Sequence, residues 1–107
     1  MRGMTRRRYL ALKIEHVQEI NESDLENAFL SAVSGLFGEY GVSKAGLVLL
    51  SHDAVKNCAV LRCTNTALDM VKASLASITK IGLEPVAVRV LGVSGTLRSL
   101  RRKFLNC

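Results

Sequence analysis

From Arg8 to Glu15 apolar and polar residues alternate, with Leu10, Leu12 and Ile14 on one side and Tyr9, Lys13 and Glu15 on the other. That is the period of a half-buried strand. Ser23-x-x-Glu26 then reads as a capping box opening a helix, in which Leu25, Ala28, Phe29, Ala32, Val33, Leu36 and Phe37 form one broad apolar stripe. Gly38 and Gly41 are expected to end it. Two apolar runs follow, Ala45 to Leu50 and Cys58 to Cys63, separated by the turn-forming Ser51-His52-Asp53 and Lys56-Asn57, and they predict a β-hairpin. Asn65 is placed to cap a second helix that buries Leu68, Val71, Leu75 and Ile78 and closes at Gly82, and Val86 to Leu91 supplies a fourth strand. A last segment, Thr96 to Leu105, spaces Leu97, Leu100, Phe104 and Leu105 at helical intervals with arginines between them.

The order β-α-β-β-α-β predicts an α+β fold of the ferredoxin-like (split βαβ, RRM-like) kind. Both main helices cover one face of a four-stranded antiparallel sheet, and a short basic C-terminal helix is added. The whole chain, 1–107, is expected to form one domain with a basic N-terminal arm at 1–8 and the basic helix at 96–105, because 107 residues, 49% of them hydrophobic, bury one modest core. Leu47 to Leu50 are apolar on both faces of their strand, so the sheet's second face needs a cover. The candidates are the third helix and a partner protein, and the reading favours a partner, alone or together with the helix.

Charge changes the picture more than composition does. The formal net charge is +6, yet Arg2, Arg6, Arg7 and Arg8 lie at one end and Arg98, Arg101, Arg102 and Lys103 at the other. Those eight of the 15 basic residues leave seven in the middle against all nine acidic ones. Two segregated clusters make a directed positive field suited to a polyanion, and nucleic acid is the expected partner. An anionic membrane fits less well, since the N-terminal cluster leads into a strand pattern. No run approaches the ~18 apolar residues of a membrane span, and the N-terminus lacks the features of a signal peptide, so a cytoplasmic protein is expected.

Catalytic readings fail on particular residues. In Gly92-Val93-Ser94-Gly95-Thr96 the second glycine follows the serine directly, which breaks the nucleophile-elbow spacing, and no lysine completes a phosphate loop. The stretch reads instead as a sharp strand-to-helix turn in which Gly92 and Gly95 take positive φ angles and Ser94 or Thr96 caps the helix. Its free amides are a candidate phosphate contact. Glu15, Glu19, Glu22, Asp24 and Glu26 suit the first helix dipole, and nothing brings Glu15, Asp53 and Glu84 together as a metal-dependent nuclease would need. Cys58, Cys63 and Cys107 are expected to be reduced, Cys58 and Cys63 on opposite strand faces, and with His16 and His52 they offer no metal site. The third strand has no aromatic residue and only Tyr9 stands on the first, so RNA binding is expected to run through phosphates.

Val60-Leu61-Arg62-Cys63, the block Leu91-Gly92-Val93-Ser94-Gly95-Thr96-Leu97 and the basic run Arg98 to Phe104 together resemble the archaeal and eukaryal ribonuclease P protein component 2 family, and Arg7-Arg8-Tyr9-Leu10 fits its first strand. The resemblance implies a non-catalytic subunit of a ribonucleoprotein that removes the 5′ leader from precursor transfer RNA. Magnesium is then held by the RNA subunit and no cofactor by this chain. It also implies pairing with component 3, as a heterotetramer that supports the catalytic domain of the RNA. By carry-over, Arg6, Arg7, Arg8, Arg98, Arg101, Arg102 and Lys103 become the expected RNA contacts, and Gly92, Ser94, Gly95 and Thr96 the turn that aims the third helix. Leu47, Leu49 and Phe37 become candidates for the partner face. The alternative is a generic ferredoxin-like RNA-binding or regulatory module without a ribonuclease P role.

Overall fold

The computed structural model describes residues 6–16 and 20–104. In chain order they form β1 (Arg7–His16), α1 (Glu22–Ala45), β2 (Val48–Asp53), β3 (Cys58–Thr64), a 3₁₀ turn (Asn65–Ala67), α2 (Leu68–Ala76), β4 (Lys80–Ile81), β5 (Glu84–Ser94) and α3 (Leu97–Phe104). The sheet order is β2-β3-β1-β5-β4 with antiparallel pairing throughout. This is the split βαβ arrangement with one strand more than expected. The extra β4 is a two-residue strand that pairs with the start of β5 through Lys80–Pro85 and Ile81–Glu84, turning at Gly82, where φ is 64°.

β1 is central and buried on both sides. Leu10, Leu12 and Ile14 are fully buried in the main core with Leu25 and Phe29 of α1 and Val71 and Leu75 of α2. Ala11, equally buried, faces the other way and packs with Val60 and Leu100 of α3, bordered by Tyr9, Leu50, Leu91, Leu97 and Phe104. The third helix therefore covers the second face in cis. Leu47 and Leu49, expected at a partner face, are half-buried and pack against the main core. β2 presents both faces to protein, since Leu49 packs on the main core and Leu50 on the α3 side, with a register shift between Leu49 and Ser51.

Several boundaries moved for local reasons. Asn21, not Ser23, caps α1: its Oδ1 accepts the Asp24 amide at 2.8 Å and its Nδ2 donates to Asp24 Oδ2 at 3.0 Å. The helix breaks at Gly38 (φ 70°, ψ −172°) but resumes through Gly41 to Ala45, where Gly46 in the left-handed region closes it. The break takes the apolar stripe off the core after Val33, and Leu36 and Phe37 emerge to solvent. Asn65 caps no helix; it begins the 3₁₀ turn, and its amide donates to the Arg6 carbonyl at 2.7 Å. The expected arm is strand from Arg7 on, with Arg7 opposite Thr64 and Arg8 opposite Cys63. Arg2, Glu19, Leu105 and Cys107 lie outside the described residues, as does the His16 side chain.

Neither Gly92 nor Gly95 has a positive φ, which corrects the turn chemistry expected of them. Gly92 is needed for space, because a Cβ there would lie 2.4 Å from the Phe104 ring. The expected reduced state is corrected at Cys58, which is disulfide-bonded, while Cys63 is a buried free thiol on the opposite face of β3. Burial pushes the Cys63 thiol up to about 11.

Gly92→Ala is expected to destabilise the fold by about 1–3 kcal/mol by overpacking, read as a lower urea midpoint. In a Phe104→Ala background the added cost should largely vanish. Cys63 ionises more readily unfolded than folded, so its contribution is intact below about pH 9 and is lost as pH rises toward 11. Cys63→Ala should flatten the fall in stability across that window, measured by urea titrations at stepped pH.

Candidate nucleic-acid interface

Antiparallel order sorts the charges by end of the sheet. At one end meet the start of β1, the end of β3, the start of β2 and the turn from β5 into α3, carrying Arg6, Arg7, Arg8, Arg62 and Thr96. At the other end lie Glu15, Asp53 and Glu84, together with Glu22, Asp24 and Glu26 of the first turns of α1. Glu15 pairs with Arg89 at 2.9 Å, and Asp53 Oδ1 accepts the Val55 and Lys56 amides in the β2–β3 turn. Glu15 and Asp53 thus serve local structure. Among the described residues no three of His, Cys, Asp and Glu stand close enough to hold a metal ion.

The basic end is an open groove of about 1480 Å³, lined by Arg6, Arg7, Arg8, Tyr9, Arg62 and Thr96 among others, with no acidic residue in its wall. That exceeds the roughly 300–1,000 Å³ of a small-molecule pocket and suits an extended chain. Arg8 donates from Nη1 to the Arg7 carbonyl at 3.2 Å and passes Gly95, whose Cβ position is 3.4 Å from that nitrogen. A side chain at Gly95 would therefore enter the groove.

Arg62 is the functional candidate that sequence reasoning missed. It stands directly across from Tyr9 on β1 and Val48 on β2. Its Nε is buried without a hydrogen-bond partner, an arrangement that costs about 1–3 kcal/mol unless an acceptor arrives. The signal in the sequence is a lone charge within the apolar run Val60 to Cys63. Its alternation puts Arg62 on the face away from Leu61 and Cys63.

The strand-to-helix turn caps itself. The Thr96 amide donates to Ser94 Oγ at 3.3 Å, and Thr96 Oγ1 accepts the Ser99 amide at 3.2 Å. Both expected capping residues are used, which occupies two of the amides considered for a phosphate. Along α3, Leu97, Leu100 and Phe104 face the sheet while Arg98, Arg101, Arg102 and Lys103 are exposed. Among the described residues the one ion pair is Arg89–Glu15, so these cations, like Arg6, Arg7 and Arg8, have no acidic partner there. Away from the groove, Leu36, Phe37 and Tyr40 are 53%, 41% and 77% exposed around the α1 break. Of the three residues expected at a partner face, Phe37 is exposed, while Leu47 and Leu49 are half-buried.

A split βαβ sheet sealed on its second face by a basic amphipathic helix is the class that these features define. The sequence matches the Rpp14/Pop5 family over residues 8–105, and the chain belongs to that family. It is 39% identical over 101 residues to ribonuclease P protein component 2 of Methanocaldococcus jannaschii, covering 94% of this chain and 74% of the relative. Against component 2 of Archaeoglobus fulgidus the identity is 36% over 102 residues, covering 95% and 91%. A chain in the cryo-EM structure of yeast ribonuclease MRP superimposes with a TM-score of 0.73 at 18% identity, covering 92% of this chain and 80% of that one, and so shares the fold.

Because the outer side chains of α3 make no contact that the fold uses, changing Arg101, Arg102 and Lys103 together to Gln should alter stability by no more than about 0.5 kcal/mol per site. Thermal unfolding followed by circular dichroism checks this, and a loss beyond that would mean these residues hold the helix down.

Proposed function

We propose that this chain is a non-catalytic protein subunit of ribonuclease P that binds the catalytic RNA and, together with component 3, supports magnesium-dependent removal of the 5′ leader from precursor transfer RNA. The observation that carries this reading is the convergence of basic residues from distant parts of a component 2 relative, with no acid beside them. Arg6, Arg7, Arg8, Arg98, Arg101, Arg102 and Lys103 act as phosphate-neutralising residues, and magnesium belongs to the RNA. Such binding is led by counterion release, so affinity falls steeply with salt. Cleavage chemistry stays with the RNA, and this chain's contribution is to hold RNA helices against their own repulsion.

Component 3 is the proposed protein partner, in a heterotetramer. The exposed Leu36, Phe37 and Tyr40 support a protein contact, since apolar side chains clustered at a helix break gain by being covered. The proposed place of action is the cytoplasm, where precursor transfer RNA is made and processed.

The test is reconstitution of cleavage from the ribonuclease P RNA, this chain and component 3, with each omitted in turn. Activation is expected only when both proteins and the RNA are present, and the Arg101, Arg102 and Lys103 to Gln variant should lower the slope of log affinity against log salt by about two to three. Unchanged cleavage with folded proteins present would sink the subunit reading and leave a generic RNA-binding or regulatory module.

A further inference from the structure

We propose that Arg62 forms the floor of a dedicated seat for one RNA phosphate, with Arg8 and Gly95 at its rim, inside the groove at the basic end of the sheet. This deepens the reading just given and rests on it. Most described cations are on exposed side chains, the kind that neutralise a polyanion without fixing its position. Arg62 differs in three respects. It projects from the middle of a paired strand, with Tyr9 and Val48 directly opposite on its two neighbours, so its stem is held by the sheet. Its Nε is shielded and has no acceptor. The groove that it lines holds Arg6, Arg7 and Arg8 and no carboxylate to satisfy it.

Because Nε is shielded, an oxyanion entering the groove meets the terminal Nη groups, and the held stem fixes where they present their N–H bonds. The guanidinium offers parallel N–H groups that match two oxygens of one phosphate, and an ammonium at the same place does not. The groove's openness and length fit a phosphate within a strand, with neighbouring phosphates passing over Arg7 and Arg8. Gly95 keeps that route clear, because a side chain there would stand against Arg8. Tyr9 beside Arg62 offers the aromatic face on which an adjoining base or sugar would rest. The seat would thus convert diffuse attraction into register, fixing which phosphate lies at the sheet's end.

The experiment is phosphate-ethylation interference on the ribonuclease P RNA of the same organism, bound by this chain in complex with component 3. The wild type should show several interfering phosphates. Arg62→Lys, which keeps the charge, should weaken binding by about 10- to 100-fold and erase interference at one phosphate or two adjacent ones while the rest persist. Arg89→Lys, outside the groove, should change affinity by less than about twofold. Gly95→Asp, which leaves Arg62 in place and puts a carboxylate beside Arg8, should erase the same positions, and it carries the test if circular dichroism shows Arg62→Lys misfolded. A loss confined to the 5′-terminal phosphate supports the seat with a monoester as occupant.

An unchanged interference pattern in both Arg62→Lys and Gly95→Asp, with affinity near wild type, would overturn the seat while RNA binding stood. Weakened component 3 binding with RNA binding intact would also overturn it, assigning Arg62 to an acidic side chain of the partner. Failure of the wild-type complex to bind this RNA at all would instead overturn the functional reading on which the seat rests.

Discussion

The contact between Leu100 of α3 and the sheet positions Ala11 and Val60 is the constraint on which the rest depends. β1 and β3 carry apolar side chains on both faces, and the two main helices can bury only one of them. Burying a leucine contributes about 1.5–3 kcal/mol, and here it also seals a face that would otherwise invite association. The helix can come this close because Ala11 is small and because Gly92 lets the Phe104 ring lie where a Cβ would stand. Once Leu97, Leu100 and Phe104 point inward, helical geometry sends Arg98, Arg101, Arg102 and Lys103 outward. The residues that complete the core therefore also display the charge.

Electrostatic polarity follows from the same topology. In an antiparallel sheet strand starts and strand ends alternate along each edge, so residues far apart in the chain share one end. Basic residues sit at the start of β1, the end of β3 and the start of α3, and the acids sit at the end of β1, the end of β2 and the start of α1. The result is a molecule with a positive end and a more acidic one. A polyanion would be drawn toward the positive end from a distance and disfavoured at the acidic one. Within about a Debye length of the groove, the arginines act together, whereas the exposed Arg89–Glu15 pair adds little to stability.

Apolar exposure is concentrated as well. The break at Gly38 leaves Leu36, Phe37 and Tyr40 off the core that the earlier turns of α1 share with α2, so the helix presents a sticky shoulder well separated in kind from the arginine groove. One surface suits an anion and the other a protein. The proposed role, bridging RNA and a second protein, would use two such surfaces of opposite character.

Read by itself, the sequence determined the element order, the helical side of β1 and the amphipathic character of the last helix, because these depend on periodicities of two and of 3.6 that are local. It also located the basic residues of both ends, since charge is written residue by residue. Tertiary structure alone decided the rest. Asn21 replaced Ser23 as the cap because the chain entered the helix two residues earlier, and Gly92 proved to make room for the Phe104 ring, twelve residues further along the chain, rather than to supply a positive φ, which no local pattern reveals. Arg62 was visible as a lone charge in an apolar strand, yet the groove that it lines together with Tyr9, Arg8 and Gly95 exists only once the strands have paired. A site built from the ends of separate strands is a property of register, and register is fixed by long-range packing, so it could be read only after the sheet had formed.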